Sequence, residues 1–295
     1  MLPFWISISL LSIFQGALVA LPGVLAAPAL ERLGGRRWAV IPPASVIVFV
    51  FGARAAERAS AEWLTYLALL AVPLLAAWAL GWLSWGARPG RALLVVPVFL
   101  LAWVDRGGLA GEGAALLLSA LSCVSLGVFL ATVTPVRWLA AGIVAMALAD
   151  TALVVSDLLQ RPNDVLNAAH PAAGLPRLQS AVFGSAVMGY GDLFVAAVLG
   201  GLLAASSTRP RQLRAARLVA LIALGLDLLF LAIEELPATL PVALALIVVV
   251  VRGGGVPGGE LKVLKDRSRT APGFEPPGSP LAPDLPRRSR TPAER

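Results

Sequence analysis

Histidine and cysteine are nearly missing from this chain: among 295 residues there is one of each, His170 and Cys123. A lone cysteine excludes a disulfide within the chain, and in its apolar run it reads as a small hydrophobe. Structural zinc needs four ligands and catalytic zinc about three, so no ordinary Cys/His metal site can be assembled, and no metal or organic cofactor is expected. There is no His-Glu-x-x-His. His170 is the only partner for a serine nucleophile, and Ser185 in "FGSAV" is the nearest candidate, without a spacing that supports a dyad. Charge is scarce as well, at 14% of residues against about 25% in soluble domains. No fixed-period repeat is visible.

Apolar residues fill the space that charge leaves. They make up 58% of the chain, and runs of about 18 or more recur, as in polytopic helical membrane proteins. The runs are too long for barrel strands. The expected fold is all-α, with nine spans near 3–28, 38–53, 61–85, 91–104, 113–134, 136–158, 179–205, 212–234 and 237–251. The first span ends in "VLAAPA", which resembles a signal-peptidase site. It lacks a basic n-region and is followed by "RLGGRR", so it reads as a retained helix. Residues 1–251 form the transmembrane domain. Residues 252–295, rich in Pro, Gly, Ser and Arg, read as a disordered tail.

The net charge of +7 sits in loops and tail. It therefore points to topology and anionic lipid rather than nucleic acid. Loops after the odd-numbered spans hold Arg32, Arg36, Arg37, Arg88, Arg91, Arg137 and the group from Arg209 to Arg217, and the tail holds more. The opposite loops hold only Arg54, Arg58, Arg106, Arg161 and Arg177. The positive-inside rule places the N-terminus outside and the C-terminus in the cytoplasm, in the plasma membrane.

Three acids lie inside predicted spans: Asp150 in "AMALADTALVV", Asp192 in "VMGYGDLFVA" and Asp227 in "ALGLDLLF". A central Asp costs about 2.5–3.5 kcal/mol on insertion scales, so each must be shielded or used. Asp157, at the end of the sixth span, reads as a solvated interfacial acid. Asp227 has no motif around it and reads as a buried carboxyl bonding to a neighbouring helix. Asp150 and Asp192 are on consecutive spans. Counted from the outer ends, they lie about 12 Å and about 20 Å deep at 1.5 Å per residue, the second less if "QSAVFG" is not helical. Two carboxylates facing each other share a proton, so one takes a proton from water while the other donates one. Gly189 and Gly191 permit close backbone approach beside Asp192, although glycines also serve ordinary helix packing. In "EELPATLPVAL", Pro237 reads as a helix start, and Pro241 is expected to leave a turn unpaired, offering backbone groups to an extended substrate.

Asp150, the Gly-x-Gly-Asp of "GYGD" and the Pro-Ala-Leu-like "PATLP" together resemble the presenilin and signal peptide peptidase family, nine-span intramembrane aspartyl proteases. The resemblance covers about residues 136–251. It implies that Asp150 and Asp192 are the catalytic pair, that Gly189 and Gly191 shape the active-site backbone, and that Pro237, Ala238, Leu240 and Pro241 dock substrate. The substrates implied are transmembrane peptides or signal-peptide remnants, cleaved in the lipid bilayer. Two departures are visible: Ala149 stands where the family usually has Tyr, and "PATLP" carries one inserted residue. "GYGD" also resembles the prepilin peptidases, which act at the cytoplasmic face. Paired intramembrane acids serve proton-coupled transporters too, and an inactive homologue acting as a scaffold is a further alternative.

Overall fold

The computed structural model describes residues 2–25, 32, 34–44, 59–156, 175–178, 180–231 and 236–252. Most of the second expected span, Asp157, His170 and the tail from 253 lie outside the described residues. The described chain is mainly helical: α1 (Phe4–Ala20), α2 (Ala59–Trp78), α3 (Val95–Val104), α4 (Leu109–Val133), α5 (Val136–Val155), a hairpin of β1 (Ser180–Phe183) and β2 (Ala186–Gly189), α6 (Tyr190–Ser206), α7 (Arg209–Asp227) and α8 (Leu240–Arg252). Among the described residues, three helical stretches are long and apolar enough to cross a membrane: Thr65–Leu83, Leu109–Val133 and Val136–Val155. Phe4–Ala20, Pro89–Val104, Tyr190–Ser206 and Leu240–Val251 are apolar but shorter.

Of the three long apolar stretches, α4 is the most buried. Its small residues let neighbours come close: a Cβ added to Gly127 would lie 2.5 Å from the Ala197 carbonyl of α6, and one on Gly201 would lie 2.7 Å from the Gly127 carbonyl oxygen. Helices in lipid associate through such close packing because apolar transfer supplies little drive there. On the other side of α6, α1 buries Leu11, Leu18 and Val19 in the common core.

The loops richer in arginine meet at one end of the bundle. Trp85 N–H donates to the Leu21 carbonyl at 2.8 Å, and Gly35 N–H to the Val133 carbonyl at 2.8 Å. These bonds join the ends of the first, third and fifth expected spans. From the start of α7, Gln212 Nε2 donates to the carbonyls of Val19 (2.9 Å), Pro22 (3.0 Å) and Gly200 (3.2 Å). Arg209 caps the Ala20 carbonyl and stacks 4.7 Å from the Trp85 ring.

The seventh expected span departs from expectation. Its outer part is not helical but an antiparallel hairpin in the register Ser180↔Gly189 to Phe183↔Ala186. The two-residue turn places Gly184 at φ 63°, a left-handed conformation that costs glycine nothing. Short apolar runs split by a Gly-Ser pair fit a strand as well as a helix. Polar groups from two helices then hold the turn. Gly184 N–H donates to Glu112 Oε2 at 2.7 Å, and Ser185 N–H to Ser7 Oγ at 3.2 Å. Ser119 Oγ donates to the Leu178 carbonyl just ahead of β1, at 2.9 Å.

Candidate active site

The hairpin changes where Asp192 sits. The residue is not within a continuous helix but in the first turn of α6, directly after β2. Gly189 is the extended residue that starts α6, with φ −65° and ψ 149°. Its N–H donates to Asp192 Oδ2 at 3.0 Å, the reach-back half of a capping box. A Cβ on Gly189 would lie 3.0 Å from that same oxygen, whereas one on Gly191 would meet only Met146 Cε at 3.6 Å. Gly189 thus gives the carboxylate room, and Gly191 faces the helix that carries Asp150.

The two acids end up at one level. Asp150 is fourteen residues after the start of α5 at Val136, and Asp192 fourteen before the end of α6 at Ser206. Both therefore stand about 21 Å from the basic end at 1.5 Å per residue. Near that level α5 and α6 come together, Met146 Cε lying against Gly191.

The "PATLP" segment lies beside them, with a correction. Leu240 starts α8, and its N–H closes a turn on the Pro237 carbonyl at 3.1 Å. Pro241 falls in the first turn of α8, where an N–H has no intrahelical partner in any case. It leaves no turn unpaired. Ala238 and Thr239 form the turn itself, and Thr239 Oγ1 donates to Asp150 Oδ2 at 2.6 Å. From α1, Gln15 Nε2 donates to the Ala238 carbonyl at 2.7 Å and, more weakly, to the Asp192 carbonyl at 3.4 Å.

Sequence reasoning overlooked Gln15, Thr239 and Tyr190. The available signal was a neutral polar residue inside an apolar run, which must find a partner when buried. Tyr190, the middle residue of Gly-x-Gly, hydrogen-bonds Ser122 of α4 through its hydroxyl at 2.7 Å, next to buried Cys123. Asp227 is apart from the pair. Ser12 Oγ donates to its Oδ1 at 3.1 Å, while its buried Oδ2 has no partner. Ser185, the serine weighed for a dyad, instead donates to the Leu2 carbonyl at 3.0 Å at the hairpin turn. Among the described residues no three His, Cys, Asp or Glu side chains converge.

An open strand edge adjoins the acids. In a hairpin closed by a two-residue turn, hydrogen-bonded and non-hydrogen-bonded pairs alternate outward from the turn. Phe183↔Ala186 bonds, so at Val187 and Gly189 the backbone groups point away from β1. The Gly189 N–H bond to Asp192 agrees with this direction. Val187 is 54% exposed. At about 24 Å, α6 alone is shorter than a hydrocarbon core of roughly 30 Å, and the hairpin directly precedes it. Backbone of that kind is tolerated where it lines a cavity or meets another chain.

No family model, no curated protein and no solved structure matches this chain.

Proposed function

We propose that this chain is an intramembrane aspartyl protease of the presenilin and signal peptide peptidase type, hydrolysing peptide bonds in transmembrane segments or signal-peptide remnants. What supports this reading is that Asp150 and Asp192 stand at one helical level beside β2 and are tied to the same turn, Asp150 through Thr239 and Asp192 through Gln15, which also holds Ala238. Two carboxyls in one site hold a proton between them. The ionised one takes a proton from water as the water oxygen bonds to the peptide carbonyl carbon. The protonated one gives its proton to the carbonyl oxygen. Collapse of the resulting diol breaks the C–N bond, and a proton passes to the leaving nitrogen.

Substrate geometry follows from the edge. A helical peptide bond is wrapped by its own turn and cannot reach two carboxyls, so the cleaved segment has to unwind. Once extended, it can pair with the outward groups of Val187 as an added strand, next to the Gly189 N–H that holds Asp192. That pairing brings its next residues to Asp192. The "PATLP" turn borders the same space, which suits the docking role proposed for Pro237, Ala238, Leu240 and Pro241.

In the membrane this reading has nine spans, with the N-terminus outside and the C-terminus in the cytoplasm. The gathering of basic loops at one end of the bundle supports that orientation. The acids stand about 21 Å from that end, which disfavours a prepilin-type peptidase working at the cytoplasmic face. Reconstitution in liposomes with a transmembrane peptide tests the proposal. Wild type should give internal cleavage products by mass spectrometry, unaffected by chelators, and Asp192→Ala should give none. Proton-coupled solute uptake without peptide product would overturn it in favour of a transporter.

A further inference from the structure

Each acid of the pair has its own anchor. Asp192 is held by the Gly189 N–H through Oδ2. Asp150 has no such neighbour on its own helix. It takes its hydrogen bond from the Thr239 hydroxyl at 2.6 Å. Thr239 is only 1% exposed, so water does not compete for its hydroxyl. Its place is fixed from three sides. The Thr239 carbonyl accepts Ala243 N–H at 3.2 Å, the Pro237–Leu240 bond closes the turn around it, and Gln15 of α1 holds the Ala238 carbonyl next to it.

From this arrangement we infer that Thr239 is a positioning residue for Asp150, and that Gln15 sets the position of Thr239. The inference rests on the protease reading and deepens it. The inserted residue of "PATLP" supplies the buried side-chain hydroxyl that holds the Asp150 carboxyl. A carboxyl free to rotate about χ2 would spend part of its time turned away from the shared proton and the attacking water. The hydroxyl removes that freedom. The first helix, far away in sequence, joins the catalytic unit through Gln15, which also reaches the Asp192 carbonyl.

The test is a comparison of Thr239→Val and Thr239→Ser in the full chain in liposomes. Val keeps the shape and the backbone N–H and removes only the hydroxyl. Thr239→Val should lower kcat about ten- to a hundredfold, the range for one hydrogen bond to a charged group. KM should stay within about twofold and the pH–rate profile should move, because the anchored acid now titrates in a different setting. Thr239→Ser should recover most of the rate and the wild-type profile. Unchanged kcat and profile in Thr239→Val would overturn the inference. So would a Thr239→Ser loss as large as that of Thr239→Val, which would mark a packing role. Infrared titration of the carboxyl bands gives a reading independent of activity, with the Asp150 band assigned by its loss in Asp150→Asn. That band should titrate differently in Thr239→Val, and an unmoved band would overturn the inference. If wild type cleaves nothing, the protease reading fails, and the infrared comparison still decides the contact.

Discussion

Two glutamines, Gln15 and Gln212, are equally buried, each 1% exposed, yet they serve opposite ends of the molecule in different ways. At the basic end, Gln212 spends its amide on three carbonyls that belong to the ends of α1 and α6. The arrangement is a knot of backbone ends, although the buried hydroxyls of Ser84 and Thr134 nearby have no partner. At the acid end, Gln15 ties two segments that each carry or hold a carboxyl. Around it the hydrogen bonding is incomplete: the β2 edge points outward, and Asp227 keeps a buried oxygen without a partner. Saturated polar groups hold helices in place. At the acid end the polar groups lie instead beside an outward strand edge, where an added chain can meet them.

The largest effect should come from the acids themselves. Asp150→Asn and Asp192→Asn should each lower cleavage at least about a thousandfold, within the range attributed to acid–base groups, while the protein inserts and accumulates. Interacting carboxyls lose their protons in two joint steps, so the wild-type pH profile should be a bell that disappears with the activity. An Asn variant with wild-type turnover would remove that carboxyl from the chemistry.

The glutamines sharpen the comparison next. Gln15→Leu should cost about ten- to a hundredfold in kcat, because the Ala238 carbonyl and with it Thr239 lose their hold. Gln212→Leu strands buried carbonyls and should cost about 2–3 kcal/mol in stability, seen as a lower melting temperature in detergent. The activity of its folded fraction should stay within about threefold of wild type. If the two variants behaved alike, the division between the ends would be wrong.

A smaller contrast separates the two glycines. Gly189→Ala puts a methyl 3.0 Å from Asp192 Oδ2, and the atom that must yield is the carboxylate itself. About tenfold loss of kcat is expected, since small displacements of a reacting group are costly. Gly191→Ala meets only a flexible methionine tip at 3.6 Å and should stay within about threefold of wild type. The smallest change expected is at Asp227. Asp227→Asn keeps the bond to Ser12 and should alter cleavage less than about fivefold, as for a group that supports packing rather than chemistry. A loss equal to that of Asp150→Asn would mean that the acids pair differently.

The parts of this molecule that stood out in the sequence were those where a residue breaks a strong local rule. Asp150 and Asp192 are charges in apolar runs, and their order with "GYGD" and "PATLP" brought the same segments to attention that the fold places together. The hairpin did not stand out. "SAVFGSAVMG" is apolar throughout, and period alone does not tell a buried strand from part of a helix. The Gly-Ser pair between two short runs was the available turn signal. The depth discrepancy between the acids, about 12 Å against about 20 Å on a helical count, was a second clue, since it vanishes once the outer part of the seventh span is not helical. Gln15 and Thr239 escaped for a different reason. Neutral polar residues break the apolar rule too weakly to draw notice, although burial obliges them to find partners just as it does an acid.

The central claim is that Asp150 and Asp192 act as one unit on an extended peptide. Its most direct test is the binding of a peptide isostere carrying a hydroxyl where the attacked carbonyl would be, measured with the full chain in liposomes and without any need to know the natural substrate. A mimic of the tetrahedral state binds through both carboxyls. The account predicts tight binding to wild type and a loss of roughly a hundredfold or more in Asp150→Asn and in Asp192→Asn alike. Equal binding to wild type and to either Asn variant would contradict it.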